Sequence, residues 1–242
     1  MSLWIKGSEI ISLNPNAYVI DVIYFMKRNN IRRLVISDSS KIIGVFTIDI
    51  ALKQILENKM EAKMNEIKLK KPVSVKSNDI KNIVTAMLTE NSDFVIYTNK
   101  YIITERDIIS NFNWEKIKEK NWEIARKAIV VEPFTKISTC AEKMLGNSIR
   151  HLPVVLDLPL GIVSARDIVY SFESMMSLNS NVEKIMNVNL VVGDAEDYVR
   201  DSVEMMLKRK VGSLIVKSKD NKKETLIFTN RDLIRLIDRY IR

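Results

Sequence analysis

Cysteine, histidine, glycine and proline are all scarce in this 242-residue chain, which has one Cys140, one His151, six glycines and five prolines. A single cysteine excludes an intrachain disulfide, and one Cys with one His leaves no ligand set for structural zinc. The glycines do not cluster, so there is no glycine-rich phosphate loop. Ser-His-Asp catalysis would have to run through His151, and no nucleophile-elbow pattern accompanies it. No apolar run approaches the roughly 20 residues of a membrane helix, and the N-terminus shows no charged-then-apolar signal pattern. The expectation is a cytoplasmic, non-enzymatic protein with no metal site and no required cofactor.

A hydrophobic content of 46% is ordinary for a globular protein. Thirty-eight Lys and Arg against 30 Asp and Glu give a net charge of +8. The cations are spread over runs such as Lys116-Lys118-Lys120 and Lys217 to Lys223. Only Trp114 and Trp122, beside the first of these, could provide a base-stacking surface. A solvated lysine-rich surface and a nucleic-acid-binding face therefore both stay open.

The chain also contains a repeat. Thr47, Thr104, Ser164 and Thr229 each follow a short apolar run, at spacings of 57, 60 and 65 residues. Three residues after the last three stand Asp107, Asp167 and Asp232. Recurrence at this period marks one supersecondary unit copied four times. Copy three reads as an entry at Pro133, a helix capped by Ser138 with Ala141, Met144 and Leu145 on one face, and a stop at Gly146-Asn147. Strands at 151–156 and 160–163 and a second helix from Ser164 complete it. The other copies follow the same β-α-β-β-α order, with Ser77 as the cap in copy two and a longer basic hairpin in copy four. The class is α+β. A single unit cannot cover its own small sheet, so repeats must pair. The charged segment 111–127 suggests modules 1–118 and 119–242.

The stretches 149–155 (IRHLPVV) and 161–167 (GIVSARD), with weaker collinear counterparts in the other copies, resemble the cystathionine β-synthase (CBS) domain. Two CBS repeats make a Bateman module. The resemblance implies four CBS repeats in two modules, with an adenosine-containing ligand in clefts between paired repeats. AMP, ADP or ATP is the expected ligand, with S-adenosylmethionine as an alternative. It further implies a regulatory role in which binding alters contacts with a separate partner, and assembly as a homodimer. A nucleic-acid-associated protein and a ligand-free dimerisation scaffold are the competing readings.

The repeated signature has two chemical uses. Ser or Thr followed three positions later by an acid is a capping box. The same geometry suits a nucleotide: a hydroxyl and helix N–H groups for phosphate, a carboxylate for both ribose hydroxyls. By resemblance Thr104, Ser164 and Thr229 contact phosphate and Asp107, Asp167 and Asp232 hold ribose. Copy one departs, with Thr47 present but Ile50 in the acid's place and Asp49 one residue early. Arg32-Arg33 and Arg150-His151, just before a strand in copies one and three, are further candidates for phosphate. Copies two and four carry Ser92-Asp93 and Gly212-Ser213 there, and Tyr101 and Leu226 where copies one and three have Gly44 and Gly161, bulk expected to crowd a ligand. Copy three alone has every element.

Overall fold

A computed structural model describes residues 3–39, 41–172, 177–218 and 224–242. The chain opens with β1 (Ser8–Glu9). Repeat one is β2 (Ser12–Leu13), α1 (Val19–Arg28), β3 (Arg33–Asp38), β4 (Lys41–Thr47) and α2 (Ile48–Leu56). Repeat two is β5 (Ser74–Val75), α3 (Ile80–Thr89), β6 (Phe94–Tyr97), β7 (Tyr101–Thr104) and α4 (Glu105–Asn111). The connecting segment holds α5 (Asn121–Ile124) and β8 (Arg126–Lys127). Repeat three is α6 (Ile137–Gly146), β9 (His151–Val155), β10 (Pro159–Ser164) and α7 (Ala165–Ser171). Repeat four is β11 (Val192–Asp194), α8 (Val199–Lys208), β12 (Ser213–Lys217), β13 (Thr225–Thr229) and α9 (Asn230–Ile241). The expected β-α-β-β-α order recurs, although the entry of repeat three is only a parallel bridge between Val131 and Val154. Most of the basic hairpin of copy four lies outside the described residues.

Helical periodicity accounts for the first helices. α1 buries Val19, Val22, Ile23 and Met26, and α3 buries Ile80, Ile83, Val84 and Met87. Two expected caps are displaced. Asp79, not Ser77, caps α3 and accepts the Ser77 hydroxyl at 2.6 Å. Lys136 precedes α6, which places Ser138 inside the helix. The shortage of glycine is met at helix ends by other residues: Asn30, Asn58, Asn91, Ser148 and Lys210 take the left-handed conformation. Asparagine tolerates it through its short polar side chain.

Packing sorts the repeats differently from chain order. One compact unit is 11–72 with 129–189, copies one and three; the other is 1–10, 73–128 and 190–242, copies two and four. In the one–three unit α2 packs on α6 and α7, and in the two–four unit α9 packs on α3 and α4. The core of the first joins Val22, Phe46 and Leu52 to Cys140, Leu152 and Val169. The core of the second joins Ile83, Val95 and Ile108 to Val203, Leu214 and Leu236. The boundary expected at 118/119 falls inside the two–four unit. There Asn121 is buried and β8 pairs antiparallel with β13, so this segment belongs to the unit's structure. The ranges 1–118 and 119–242 are halves of the chain, not packing units.

Each repeat is strapped at the start of its first helix and along the outer edge of its hairpin. In copies one and three the strap follows the repeat: Lys63 bridges Tyr18 and Lys70 bridges Val45, while Asn181 bridges Lys136 and Asn187 bridges Ile162. In copies two and four it precedes the repeat: Trp4 bridges Asp79 and β1 pairs with β7, while Lys120 bridges Tyr198 and β8 pairs with β13. The residue after each helix-start bridge, Met64, Val182, Ile5 or Asn121, is fully buried as an anchor. Two of the strand glycines, Gly44 and Gly161, serve these straps. A Cβ on Gly44 would stand 2.6 Å from Leu69 Cβ, and one on Gly161 would stand 2.7 Å from Met186 Sδ.

Candidate functional site: hydroxyl–acid boxes and a guanidinium cluster

Hairpin register decides which predicted residues meet. Ser164 lies opposite His151, and Thr47 lies opposite Arg33. The basic pairs of copies one and three therefore flank their hydroxyl boxes. In the other unit Thr104 lies opposite Phe94, next to Asp93, and Thr229 lies opposite Ser213.

Three boxes are closed as caps. Ser164 donates its hydroxyl to Asp167 Oδ2 at 2.6 Å, and its amide donates to the same oxygen at 2.8 Å. Thr104 does likewise to Asp107 Oδ2, both at 2.8 Å, and Thr229 to Asp232 Oδ2, both at 2.9 Å. The structural use of the signature is thus realised, and it places the inner carboxylate oxygen on the protein's own donors. In copies two and three the outer oxygen, Oδ1, retains acceptor capacity for an external diol. Asp232 differs. It is buried, Arg235 donates to its Oδ1 at 3.3 Å, and Arg126 stands 3.6 Å from Oδ2. It is the most committed of the three acids. Thr47, with no acid at the third position, only accepts the Ile50 amide, at 3.4 Å.

The displaced acid of copy one has a partner that sequence reasoning did not find. Asp49 accepts a two-pronged contact from Arg150 through Nε and Nη2. This fork ties copy one to copy three and engages the guanidinium that had been assigned to phosphate. The corresponding contact in the two–four unit has its chemistry changed. Arg231, at the same helix position as Asp49, donates to the Ser92 carbonyl at 2.8 Å, to the Met87 carbonyl at 3.1 Å and to Asn91 Oδ1 at 3.0 Å, and pairs with Glu105. Arg231 is a staple between repeats. The only sequence signal for either contact was the one-residue offset of Asp49.

Around His151 the one–three unit gathers positive charge. Burial pushes its imidazole pKa down to about 3, with Arg32, Arg150 and Arg166 adding repulsion. The side chain is partly exposed, and the three guanidiniums act in the same direction as burial. In copy two the position of His151 is taken by the buried acid Asp93. The surroundings of the two positions are therefore electrostatically unlike. Cys140 is a core residue whose thiol burial pushes its pKa up to about 11. Among the described residues no helix is long and apolar enough to cross a membrane.

The CBS domain model matches residues 6–57 and 122–174. Among solved structures, protein MJ1225 of Methanocaldococcus jannaschii, described as a candidate archaeal homolog of g-AMPK, is similar with a TM-score of 0.81 and 23% identity, covering 96% of this chain and 98% of that one. An uncharacterized conserved protein from Pyrococcus horikoshii is similar with a TM-score of 0.63 and 19% identity over 96% and 97% of the two chains. No curated protein matches. The two family matches fall on copies one and three, which are CBS domains, and the same β-α-β-β-α plan is repeated in copies two and four.

Proposed function

We propose that this protein is a regulatory sensor of adenine nucleotides whose principal phosphate-binding group is in the one–three unit. The observation that carries the reading is the convergence of Arg32, Arg150 and Arg166 on His151, directly across the hairpin from the Ser164–Asp167 box. Guanidinium donors beside a helix start suit a phosphate, with the Ser164 hydroxyl turning from Asp167 to the ligand on binding. Asp167 Oδ1 suits the ribose hydroxyls, with Asp107 as the next candidate and Asp232 the poorest because arginines already engage it. Binding alters activity by favouring one arrangement of the repeats over another, which requires different affinity for the two. The regulated partner is a separate protein, and the assembly is a homodimer.

Calorimetry with AMP, ADP, ATP and S-adenosylmethionine tests this. Asp167→Ala is expected to weaken the best ligand by about ten- to a hundredfold, the scale of a hydrogen bond to a charged group. Because Asp167 also caps α7, 2′-deoxy-AMP provides the control. Its handicap relative to AMP should disappear in Asp167→Ala if the carboxylate reads ribose. Undetectable binding at millimolar ligand, or a handicap that survives the substitution, would refute the assignment.

A further inference from the structure

The two–four unit holds a second constellation, remote from its hydroxyl box. An open groove of about 570 Å³ is lined by Lys118, Lys120 and Trp122 of the strap and by Tyr198 and Arg200 at the start of α8, with Glu123 and Glu196 at its edge. It sits at the end of the repeat-four sheet where Asp194 pairs with Lys217, whereas Thr229 pairs with Ser213 at the other end. Four residue steps along β12 separate the two ends by about 14 Å.

Two aromatics face solvent here, Trp122 at 55% and Tyr198 at 40% exposure. The Arg200 guanidinium lies over the Tyr198 ring, 4.7 Å from its centre. Both acids are engaged by Lys120: its ammonium pairs with Glu196, and its amide donates to Glu123 Oε1 at 2.7 Å. Arg200 pairs with Asp201 at 3.5 Å, which leaves Lys118 as the groove cation with no ion pair among the described residues.

The fold does not require this chemistry. Repeat one builds the same corner, with Lys63 bridging Tyr18 and lying 5.7 Å over its ring. Two residues after Lys63, where repeat four has Trp122, stands Asn65, whose amide donates to Asn16 Oδ1 at 3.3 Å. Repeat three has Glu183 there and repeat two Lys6. An indole two residues past the bridge is peculiar to repeat four, whereas repeat two carries its indole, Trp4, at the bridge itself.

We propose that this groove binds single-stranded nucleic acid, with a base stacked on Trp122 or on the Tyr198–Arg200 surface and the adjoining phosphates met by Lys118 and Arg200. Exposed aromatics beside cations are the elements of a strand-binding surface, where every base offers a face to stack on. An open groove suits a strand passing through better than a small ligand, which is normally enclosed over most of its surface. The site uses none of the residues assigned to the nucleotide.

Fluorescence anisotropy of labelled oligouridylate and oligothymidylate with the full chain tests the proposal. Binding should weaken as salt rises, and Trp122→Ala should weaken it by about tenfold at fixed salt, within the range measured for loss of one stacking partner. Trp122→Phe should retain most of the affinity. Lys118→Gln should lower the salt dependence by about one ion's contribution. Saturating AMP, or Asp167→Ala, should leave oligonucleotide binding unchanged, which separates this site from the sensor site. No binding at low salt, an unchanged affinity in Trp122→Ala, or competition by uridine monophosphate as effective per base as by the oligonucleotide would each overturn it.

Discussion

His151 shows how single residues here carry consequences out of proportion to their number. Desolvation first, then the guanidiniums of Arg32, Arg150 and Arg166, favour its neutral form. In the unfolded chain the imidazole titrates near its ordinary value of about 6.5. Between that value and about 3 the unfolded state binds the extra proton, so stability rises with pH across the window and is lost as pH falls through it. Because the chain has one histidine, its proton resonances can be followed without ambiguity. The imidazole is expected to show no titration between pH 5 and 8 in the free protein. A phosphate bound among the guanidiniums should raise its pKa measurably. Titration near the ordinary value in the free protein would show that the guanidiniums do not act on it. At the same scale, the Asp49–Arg150 fork gives the early acid of copy one a structural role: its carboxylate holds the neighbouring repeat.

At the scale of elements, the straps give the strand glycines their purpose. Neither Gly44 nor Gly161 has a positive φ, so an added methyl group would cost sterically and not through the backbone. At Gly44 the obstruction is the Leu69 Cβ at 2.6 Å, fixed to its own main chain; at Gly161 it is the end of the flexible Met186 side chain at 2.7 Å. Gly44→Ala should therefore destabilise by about 1–3 kcal/mol, the usual cost of overpacking, and Gly161→Ala by less. Urea unfolding of both variants checks the order, and a larger loss for Gly161→Ala would contradict the account. Tyr101 and Leu226, at the corresponding places in copies two and four, face straps that arrive as paired strands, opposite Glu9 and Lys127. Their bulk is accommodated by those straps.

For the whole molecule, the interleaving of repeats is the main consequence of tertiary structure. Each core takes apolar side chains from both halves of the chain. A fragment 119–242 keeps α6 and α7 without α2, and α8 and α9 without α3 and α4, leaving their apolar faces uncovered. Exposed apolar area on this scale drives self-association. Light scattering should find the fragment dimeric or larger, and a stable monomer would mean that the contacts between repeats contribute little. The same reasoning applies to 1–118.

Much of the protein was legible in its sequence because periodicity and capping chemistry are local. The four-fold recurrence, the apolar stripe of α1 and the boxes at Thr104, Ser164 and Thr229 depend on residues a few positions apart, where backbone geometry leaves little choice. The helix starts at Asp79 and Lys136 were less legible, since several polar residues compete to cap. What only the tertiary structure decided depends on residues 76 or more positions apart. It determined that copy one packs with copy three, that Arg150 serves Asp49, that Arg231 staples copy two, and that Trp122 shares a groove with Tyr198. Four similar amphipathic repeats offer several pairings of nearly equal hydrophobic content. The choice among them is made by side-chain fit and charge across the contact, which no single repeat contains.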